Sequence, residues 1–176
     1  MLIDVGTGDG KFVHRTALAN PGTLVVGMDP AWRGMIDSAR RGAPNALYVC
    51  ASIEDPPEPL LGLADELYVN LPWGRLLSGV VLGDPDVLAG LRALARTGAP
   101  LRIVVATSIW RPPVPKEIAG LPELTADHVD TVLAERFADH GWKITDFRTT
   151  GPAEVATSWA RRLGAGSFAG LYAEAI

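Results

Sequence analysis

The chain of 176 residues has few features that would cross-link a protein or anchor it in a membrane. Its single cysteine, Cys50, excludes a disulfide framework and a four-thiolate zinc site. No apolar run approaches the roughly 18 residues that a membrane-spanning helix needs. Met1 leads straight into Leu2–Val5, which predicts a strand and no signal peptide. We therefore expect a soluble cytoplasmic protein with one domain over residues 1–176 and no metal site.

Positive charge is also scarce overall, but it is unevenly distributed. Lys and Arg total 16 against 20 Asp and Glu, and the net charge of -4 argues against a uniformly basic nucleic-acid binder. Residues 72–116, however, carry six basic and two acidic side chains. This cation-rich stretch suits a modest contact with a polyanion, and a solvated arginine-rich face would explain it equally well.

The sequence does have a regular alternation of apolar runs and helical patterns, which is typical of an α/β sheet. Its 48% of hydrophobic and 20% of charged residues are ordinary for a globular protein and exclude a disordered chain. Strands are predicted at 1–5, 23–28, 47–51, 66–71, 101–106, 143–148 and 167–174. Helices are predicted at 11–19, 31–41, 74–81, 85–96, after Thr125, and within 152–163. Seven mostly parallel strands with a helix between most pairs fit one doubly wound domain.

A proline-rich segment interrupts this pattern at about 108–124, where four prolines occur. Connections of this length are usually either functional or disordered. We expect a long ordered loop or a lid there.

A glycine-rich loop follows the first strand, in Asp4-Val5-Gly6-Thr7-Gly8-Asp9-Gly10. Glycines let a strand turn sharply into a helix and let NAD, FAD or S-adenosylmethionine approach the backbone. The dinucleotide pattern would need glycine at Lys11, and the flanking Asp4 and Asp9 would repel a pyrophosphate. S-adenosylmethionine carries an ammonium and a sulfonium, which carboxylates attract. The loop therefore favours S-adenosylmethionine.

Two further carboxylates stand where this cofactor needs them. Asp29 lies at the end of the second strand, 19 residues after Gly10, where a carboxylate can bind both ribose hydroxyls. Glu54 follows the third strand, where it could face the adenine or the methionine end. In the alternative interpretation, Asp4, Asp9 and Asp29 only cap the neighbouring helices.

Two of the five tryptophans stand in a context that indicates stacking on a base. Trp73 follows the fourth strand, between a proline and a glycine, at the sheet edge where a methyltransferase of this topology binds its substrate. Trp159 lies close to Arg161 and Arg162, which suits a base stacked on a ring with phosphates nearby. The alternative for each is a tryptophan of the core.

The remaining aromatic and titratable candidates are predicted to be structural. Cys50 lies within a predicted strand and is expected to be a buried small hydrophobe. No G-x-S-x-G, H-E-x-x-H or Walker motif occurs, so hydrolase and kinase mechanisms have no support. Packing in the core or in a loop is expected for Trp32, Trp110 and Trp142, and helix-surface positions for His14, His128 and His140.

Five stretches, spread over nearly the whole chain, match the motifs of one known family. They are Asp4–Gly10, Gly27-Met28-Asp29-Pro30, Leu71-Pro72-Trp73-Gly74 with Leu76-Leu77, Trp110-Arg111-Pro112, and Thr157-Ser158-Trp159-Ala160-Arg161-Arg162-Leu163. The proline-tryptophan-glycine and tryptophan-x-arginine-arginine-leucine elements are much more specific than the glycine loop. With these motifs the chain resembles the 16S ribosomal RNA (adenine-N1)-methyltransferases that confer kanamycin and apramycin resistance.

The resemblance implies a class I methyltransferase that acts on the 30S subunit and its 16S rRNA, and we expect the protein to be a monomer. The methyl group would pass from S-adenosylmethionine to N1 of adenine 1408, leaving S-adenosylhomocysteine and giving aminoglycoside resistance. Trp73 and Trp159 would be the catalytic pair that clasps the flipped base. The implied cofactor-binding residues are Asp4, Gly6, Thr7, Gly8, Asp9, Gly10, Asp29, Pro30, Ser52, Ile53, Glu54, Asn70, Pro72 and Thr157. The expected RNA contacts are Arg75, Arg111, Arg161 and Arg162.

The sequence departs from that family at several places. An extension before the first strand is missing, and the connectors at 40–44 and 164–167 look short. Arg75 stands where small hydroxyl residues are usual, which bears on substrate contacts more than on cofactor binding. Two rival functions stay open: a methyltransferase for another RNA, such as the tRNA guanine-N7 type, and a catalytically idle S-adenosylmethionine-binding interaction module.

Overall fold

The computed structural model describes residues 1–150 and 167–176, in which seven strands form one sheet. The strands are β1 (Leu2–Val5), β2 (Val25–Met28), β3 (Ala46–Val49), β4 (Glu66–Asn70), β5 (Pro100–Ala106), β6 (Trp142–Thr150) and β7 (Phe168–Ala175). Their order across the sheet is β3-β2-β1-β4-β5-β7-β6. β7 runs antiparallel to both of its neighbours, and the other pairs are parallel. The predicted α/β fold with a mostly parallel seven-stranded sheet is confirmed.

Short helices connect these strands. They are α1 (Lys11–Ala19), α2 (Ile36–Arg40), α3 (Gly74–Leu82), α4 (Pro85–Leu94), α5 (Ala126–His128) and α6 (Ala134–Asp139), with a π-helical turn at Val129–Leu133 between the last two. The predicted cap is present, because the Thr125 hydroxyl accepts the backbone N–H of His128 at 3.2 Å. The helix predicted at 31–41 is instead a 3₁₀ turn, Trp32–Met35, followed by α2. No helix in the described parts of the chain is long and apolar enough to cross a membrane.

Helices cover both faces of the central strands, as a doubly wound sheet requires. On one face, Leu2 of β1 packs with Val13 and Ala17 of α1. On the other face, Ile3 belongs to the large core that includes Leu77 of α3 and Leu88 of α4. All four residues of β1 and of β2 are buried, which explains why these strands are almost continuously apolar.

The prediction that Cys50 is buried is wrong, and the tryptophans expected to pack in the core or in a loop differ in their exposure. Cys50 is exposed, because β3 is the edge strand of the sheet and ends before this residue. Trp32 is 51% exposed, and the Arg33 guanidinium lies 5.5 Å from the centre of its ring. Trp142, in contrast, is completely buried, and Trp110 packs partly buried against the core as expected.

The close approach of α4 to the segment after β3 gives a test of the packing. A Cβ atom on Gly90 would lie 1.8 Å from the carbonyl oxygen of Ile53, so Gly90→Ala must displace backbone. We expect this change to lower the free energy of unfolding by about 3 kcal/mol, as for overpacking in a core. Denaturant unfolding measures the loss, with Gly22→Ala as the control because a Cβ there meets nothing within 4 Å. Equal stability of the Gly90 variant and the wild type would contradict this contact.

Candidate active site

A cavity of about 860 Å³ opens at the carboxyl ends of β1, β2 and β4. The order of the strands reverses between β1 and β4, and open α/β sheets bind their ligands at such a point. The loops after the first five strands contribute to the cavity wall. Of the predicted site residues, those in the wall are Asp4, Gly6, Thr7, Gly8, Asp9, Asp29, Pro30, Ser52, Ile53, Glu54, Asn70, Pro72, Trp73 and Arg75.

The glycine-rich loop forms the floor between β1 and α1. Gly6, Gly8 and Gly10 all have positive φ angles, of 73°, 57° and 66°, which L side chains rarely adopt. Gly10 is absent from the cavity wall, and its role in cofactor binding stays a prediction. A Cβ there would lie 2.6 Å from the ring of Tyr48, whose hydroxyl donates to the Gly10 carbonyl at 3.2 Å. Gly10 therefore allows the loop to pack closely against Tyr48.

Asp29 is held in place by backbone before any ligand arrives. Its Oδ2 accepts the N–H of Gly8 at 2.9 Å, and its Oδ1 accepts the N–H of Ala31 at 2.7 Å. Each carboxylate oxygen has two lone pairs, so acceptor capacity remains toward the cavity. The carboxylate thus joins the glycine loop to the end of β2 with a fixed orientation.

Asp4 is the most buried carboxyl of the cavity wall, with 2% of its surface exposed. Its Oδ1 accepts a hydrogen bond from the amide Nδ2 of Asn70 at 3.0 Å. Burial raises the pKa of Asp4 from its ordinary 3.8 to about 7, although the Asn70 hydrogen bond opposes the rise. The Asp4 carboxyl therefore loses its proton near neutral pH, and the resulting carboxylate attracts a positive charge in the cavity.

Asp9, in the same loop, has a cationic partner already. Its Oδ2 lies 2.6 Å from the Nζ of Lys11, and its Oδ1 accepts the Lys11 backbone N–H at 3.1 Å. The Asp9 carbonyl accepts the hydroxyl of Ser38 at 2.6 Å, which fixes the loop against α2. Asp9 thus accepts the first backbone N–H of α1 and lies in the cavity wall, while the N-cap residue of this helix is Gly10.

Trp73 lies at the rim of the cavity, between β4 and α3. It is 53% exposed and has an extended backbone conformation directly before the helix. Leu71, two residues earlier, has a positive φ of 52°, which turns the chain sharply after the strand. A large indole face is therefore left open to solvent beside the cavity.

Arg75 joins two carboxylates next to this tryptophan. Its Nη1 and Nη2 donate to the two oxygens of Asp84, both at 2.8 Å. Its Nε donates to Oε1 of Glu54 at 3.2 Å. The predicted RNA contact Arg75 thus has intramolecular partners on both sides.

The proline-rich segment forms a further wall of the cavity. Its residues in the cavity wall are Ser108, Ile109, Pro113 and Pro115. The first two follow β5 closely, so the rule that ligands bind at strand ends could have identified them from the sequence. Arg111 is not in the wall, and its guanidinium forms a two-pronged ion pair with Glu123 at 2.9 and 2.6 Å. This ion pair therefore joins the two ends of the proline-rich segment beside the cavity.

Four predicted site residues lie outside the described residues: Thr157, Trp159, Arg161 and Arg162. The described residues on either side nevertheless show where the chain leaves the sheet and where it rejoins it. Thr150 and Phe168 are paired in the sheet, and Phe168 also pairs with Ala106 at the carboxyl end of β5. Both ends of the segment therefore lie at the same edge of the sheet as the cavity.

No group of three or more His, Cys, Asp or Glu side chains within 1–150 and 167–176 is arranged to hold a metal ion. The chemistry of the wall is instead that of carboxylates, backbone N–H groups and one exposed aromatic ring. Such a set suits an organic ligand that carries positive charge.

Comparisons with known proteins give one consistent result. The family model of NpmA, a 16S rRNA (adenine(1408)-N(1))-methyltransferase, matches residues 1–173. An enzyme of that name from Streptoalloteichus tenebrarius is 42% identical over 174 residues, covering 93% of this chain and 80% of the relative. A tryptophan-to-alanine variant of the enzyme from Catenulisporales acidiphilia, with cosubstrate SAM, superposes with a TM-score of 0.94 at 47% identity, covering 99% of this chain and 85% of that one. The 16S rRNA methyltransferase KamB superposes with a TM-score of 0.88 at 39% identity, covering 99% and 87%.

Proposed function

The chain belongs to the 16S rRNA (adenine(1408)-N(1))-methyltransferase family, and we propose that its reaction takes place in the cavity at the ends of β1, β2 and β4. The enzyme transfers a methyl group from S-adenosylmethionine to N1 of adenine 1408, which gives aminoglycoside resistance. One observation carries the placement. Carboxylates from three successive strand ends meet in one cavity beside the exposed indole of Trp73.

The cavity suits the cofactor in size and charge. When bound, S-adenosylmethionine supplies a methyl group on a cationic sulfur. We assign Asp29 to the ribose hydroxyls, because its orientation is fixed by two backbone N–H groups. Glu54 serves the adenine or the methionine end, and the carboxyls of Asp4 and Asp9 attract the positive charges. Thr157 is proposed as a further contact on the strength of its motif.

The chain has to position the base more than to activate it. N1 of adenine is a neutral ring nitrogen with a free lone pair, so no general base is needed. The protein's task is to hold the extruded base in line with the methyl donor. Trp73 offers one aromatic face at the rim, and we propose Trp159 as the second. Indole faces also stabilise the positive charge that the ring acquires.

Phosphate contacts supply the docking on the 30S subunit. We propose Arg161 and Arg162 for this role, together with Arg75 and Arg111. A guanidinium has five N–H donors, so pairing with a carboxylate still leaves Arg75 and Arg111 donors for RNA. We further propose that the enzyme acts in the cytoplasm, as a monomer and without a metal ion.

Primer extension on purified 30S subunits tests the proposal. Incubation with S-adenosylmethionine should produce a stop at adenine 1408, since N1-methyladenine blocks base pairing. Labelling of tRNA with no such stop would support a methyltransferase for another RNA. Cofactor binding without transfer to either RNA would support an idle binding module.

The affinity for the cofactor should depend on pH through Asp4. Bound positive charge favours the carboxylate and lowers a pKa of about 7, so binding releases a proton below neutral pH. Affinity should rise by up to about tenfold per pH unit from pH 5 to 7 and then level off. Because the unfolded carboxyl ionises near 3.8, the same raised pKa makes the free protein lose stability as pH increases from about 4 to 7.

Calorimetry over this pH range measures the effect, and two buffers of different ionisation enthalpy report the released proton. Asp4→Asn should bind more weakly at pH 7.5 and show a flat profile between pH 5 and 7. A flat profile for the wild type would contradict the role of Asp4.

A further inference from the structure

Asp84 is anchored before it meets Arg75. It is the N-cap of α4, and its Oδ1 accepts the backbone N–H groups of Asp86 at 3.1 Å and Val87 at 3.3 Å. The hydrogen bond from Arg75 also lowers the pKa of Asp84, so the pair is charged at neutral pH. Asp84 is thus a fixed anion at the turn between α3 and α4.

The two-pronged ion pair with Asp84 fixes the plane of the Arg75 guanidinium. A planar guanidinium held through one N–H of each Nη atom keeps three further N–H groups, and the one on Nε then has a set direction. In this structure that Nε–H meets Oε1 of Glu54, across 21 positions of sequence. A lysine could supply the charge but not this geometry.

Glu54 needs such support because its own segment gives it none. It follows β3, lines the cavity, and among the described residues its carboxylate has Arg75 as its hydrogen-bond partner. A glutamate side chain loses considerable rotamer freedom when it is held in one position. A carboxylate that is already held binds a ligand more tightly, since that cost is met before binding.

We propose that Asp84 and Arg75 are positioning residues for cofactor binding: Asp84 orients Arg75, and Arg75 holds Glu54 in the cavity wall. This rests on the proposed role of Glu54 in the cofactor site. Arg75 lies two residues after Trp73. The same arginine therefore links the cofactor side of the cavity to the base side.

Asp84→Asn is the sharpest variant, because asparagine caps a helix as well as aspartate but cannot form the charged two-pronged pair. We expect the Kd for S-adenosylhomocysteine to rise about fivefold, a part of what a charged hydrogen bond supplies. Asp86→Asn is the matched control, since Asp86 is exposed in the same helical turn and Arg75 forms its two-pronged pair with Asp84 instead. Thermal unfolding of both variants separates the effect on binding from any effect on folding.

A double-mutant cycle with Glu54→Gln shows whether Asp84 acts through Glu54. If it does, the double variant should bind no more weakly than Glu54→Gln alone. Arg75→Lys should behave like Asp84→Asn, and the loss should appear in the KM for the cofactor more than in kcat. Additive effects, normal binding by Arg75→Lys, or an unchanged Kd for Asp84→Asn or Glu54→Gln would each overturn the proposal. These binding measurements need no RNA, so a missing stop at adenine 1408 would count against the function alone.

Discussion

Replacing Trp73 by alanine should reduce methyl transfer to adenine 1408 by on the order of 100-fold, since base stacking contributes about 1–3 kcal/mol and the product ring is cationic. The side chain is 53% exposed, so its removal takes little packing from the core. Cofactor affinity and 30S binding should change little, because they depend on carboxylates and phosphate contacts. Aminoglycoside resistance in cells should be lost with the methylation.

Two companion variants make this test specific. Trp73→Phe should retain more activity than Trp73→Ala, because an aromatic face remains. Trp32→Ala removes an equally exposed indole, 51% against 53%, from outside the cavity wall, and it should leave methylation near normal. Full activity of Trp73→Ala, with the protein folded, would show that the base is held elsewhere.

Asp29→Ala should weaken the binding of S-adenosylhomocysteine by roughly 10- to 100-fold, the value of a charge-assisted contact with two hydroxyls. The structure adds a second reason. The same carboxylate accepts the N–H groups of Gly8 and Ala31, so its loss also releases the glycine loop from the end of β2. Asp29→Asn keeps the shape but offers one acceptor oxygen for these two donors, and it should be impaired as well.

Calorimetry with S-adenosylhomocysteine measures both variants of Asp29. Asp37→Ala is a suitable control, because Asp37 is an exposed carboxylate in the first turn of α2 and is absent from the cavity wall. Unchanged affinity of Asp29→Ala would refute the assignment of the ribose contact. Binding of NAD by the wild type would refute the cofactor itself.

The sequence by itself determined the order of strands and helices and most of the cavity wall. Buried parallel strands are mostly apolar, so β2 is visible as an apolar run and β1 as one that Asp4 alone interrupts. Chemistry in such a sheet follows strand ends, so Asp29, Glu54 and Trp73 could be selected from position alone. The family resemblance added the pairing of Trp159 with Trp73 around a flipped base, and Trp159 lies outside the described parts of the chain.

The tertiary structure decided what depends on neighbours that are distant in sequence. Cys50 was expected to be buried, but β3 is an edge strand, and a local pattern does not show where a strand stands in a sheet. For Gly10, only the fold shows that the ring of Tyr48 occupies the space where a Cβ would lie. Arg75 was selected for RNA, and only the fold shows it between two carboxylates, 21 residues before it and 9 residues after it. Its partners come from separate loops that only the packing of α3 and α4 against the sheet brings together, so no sequence spacing could have revealed them.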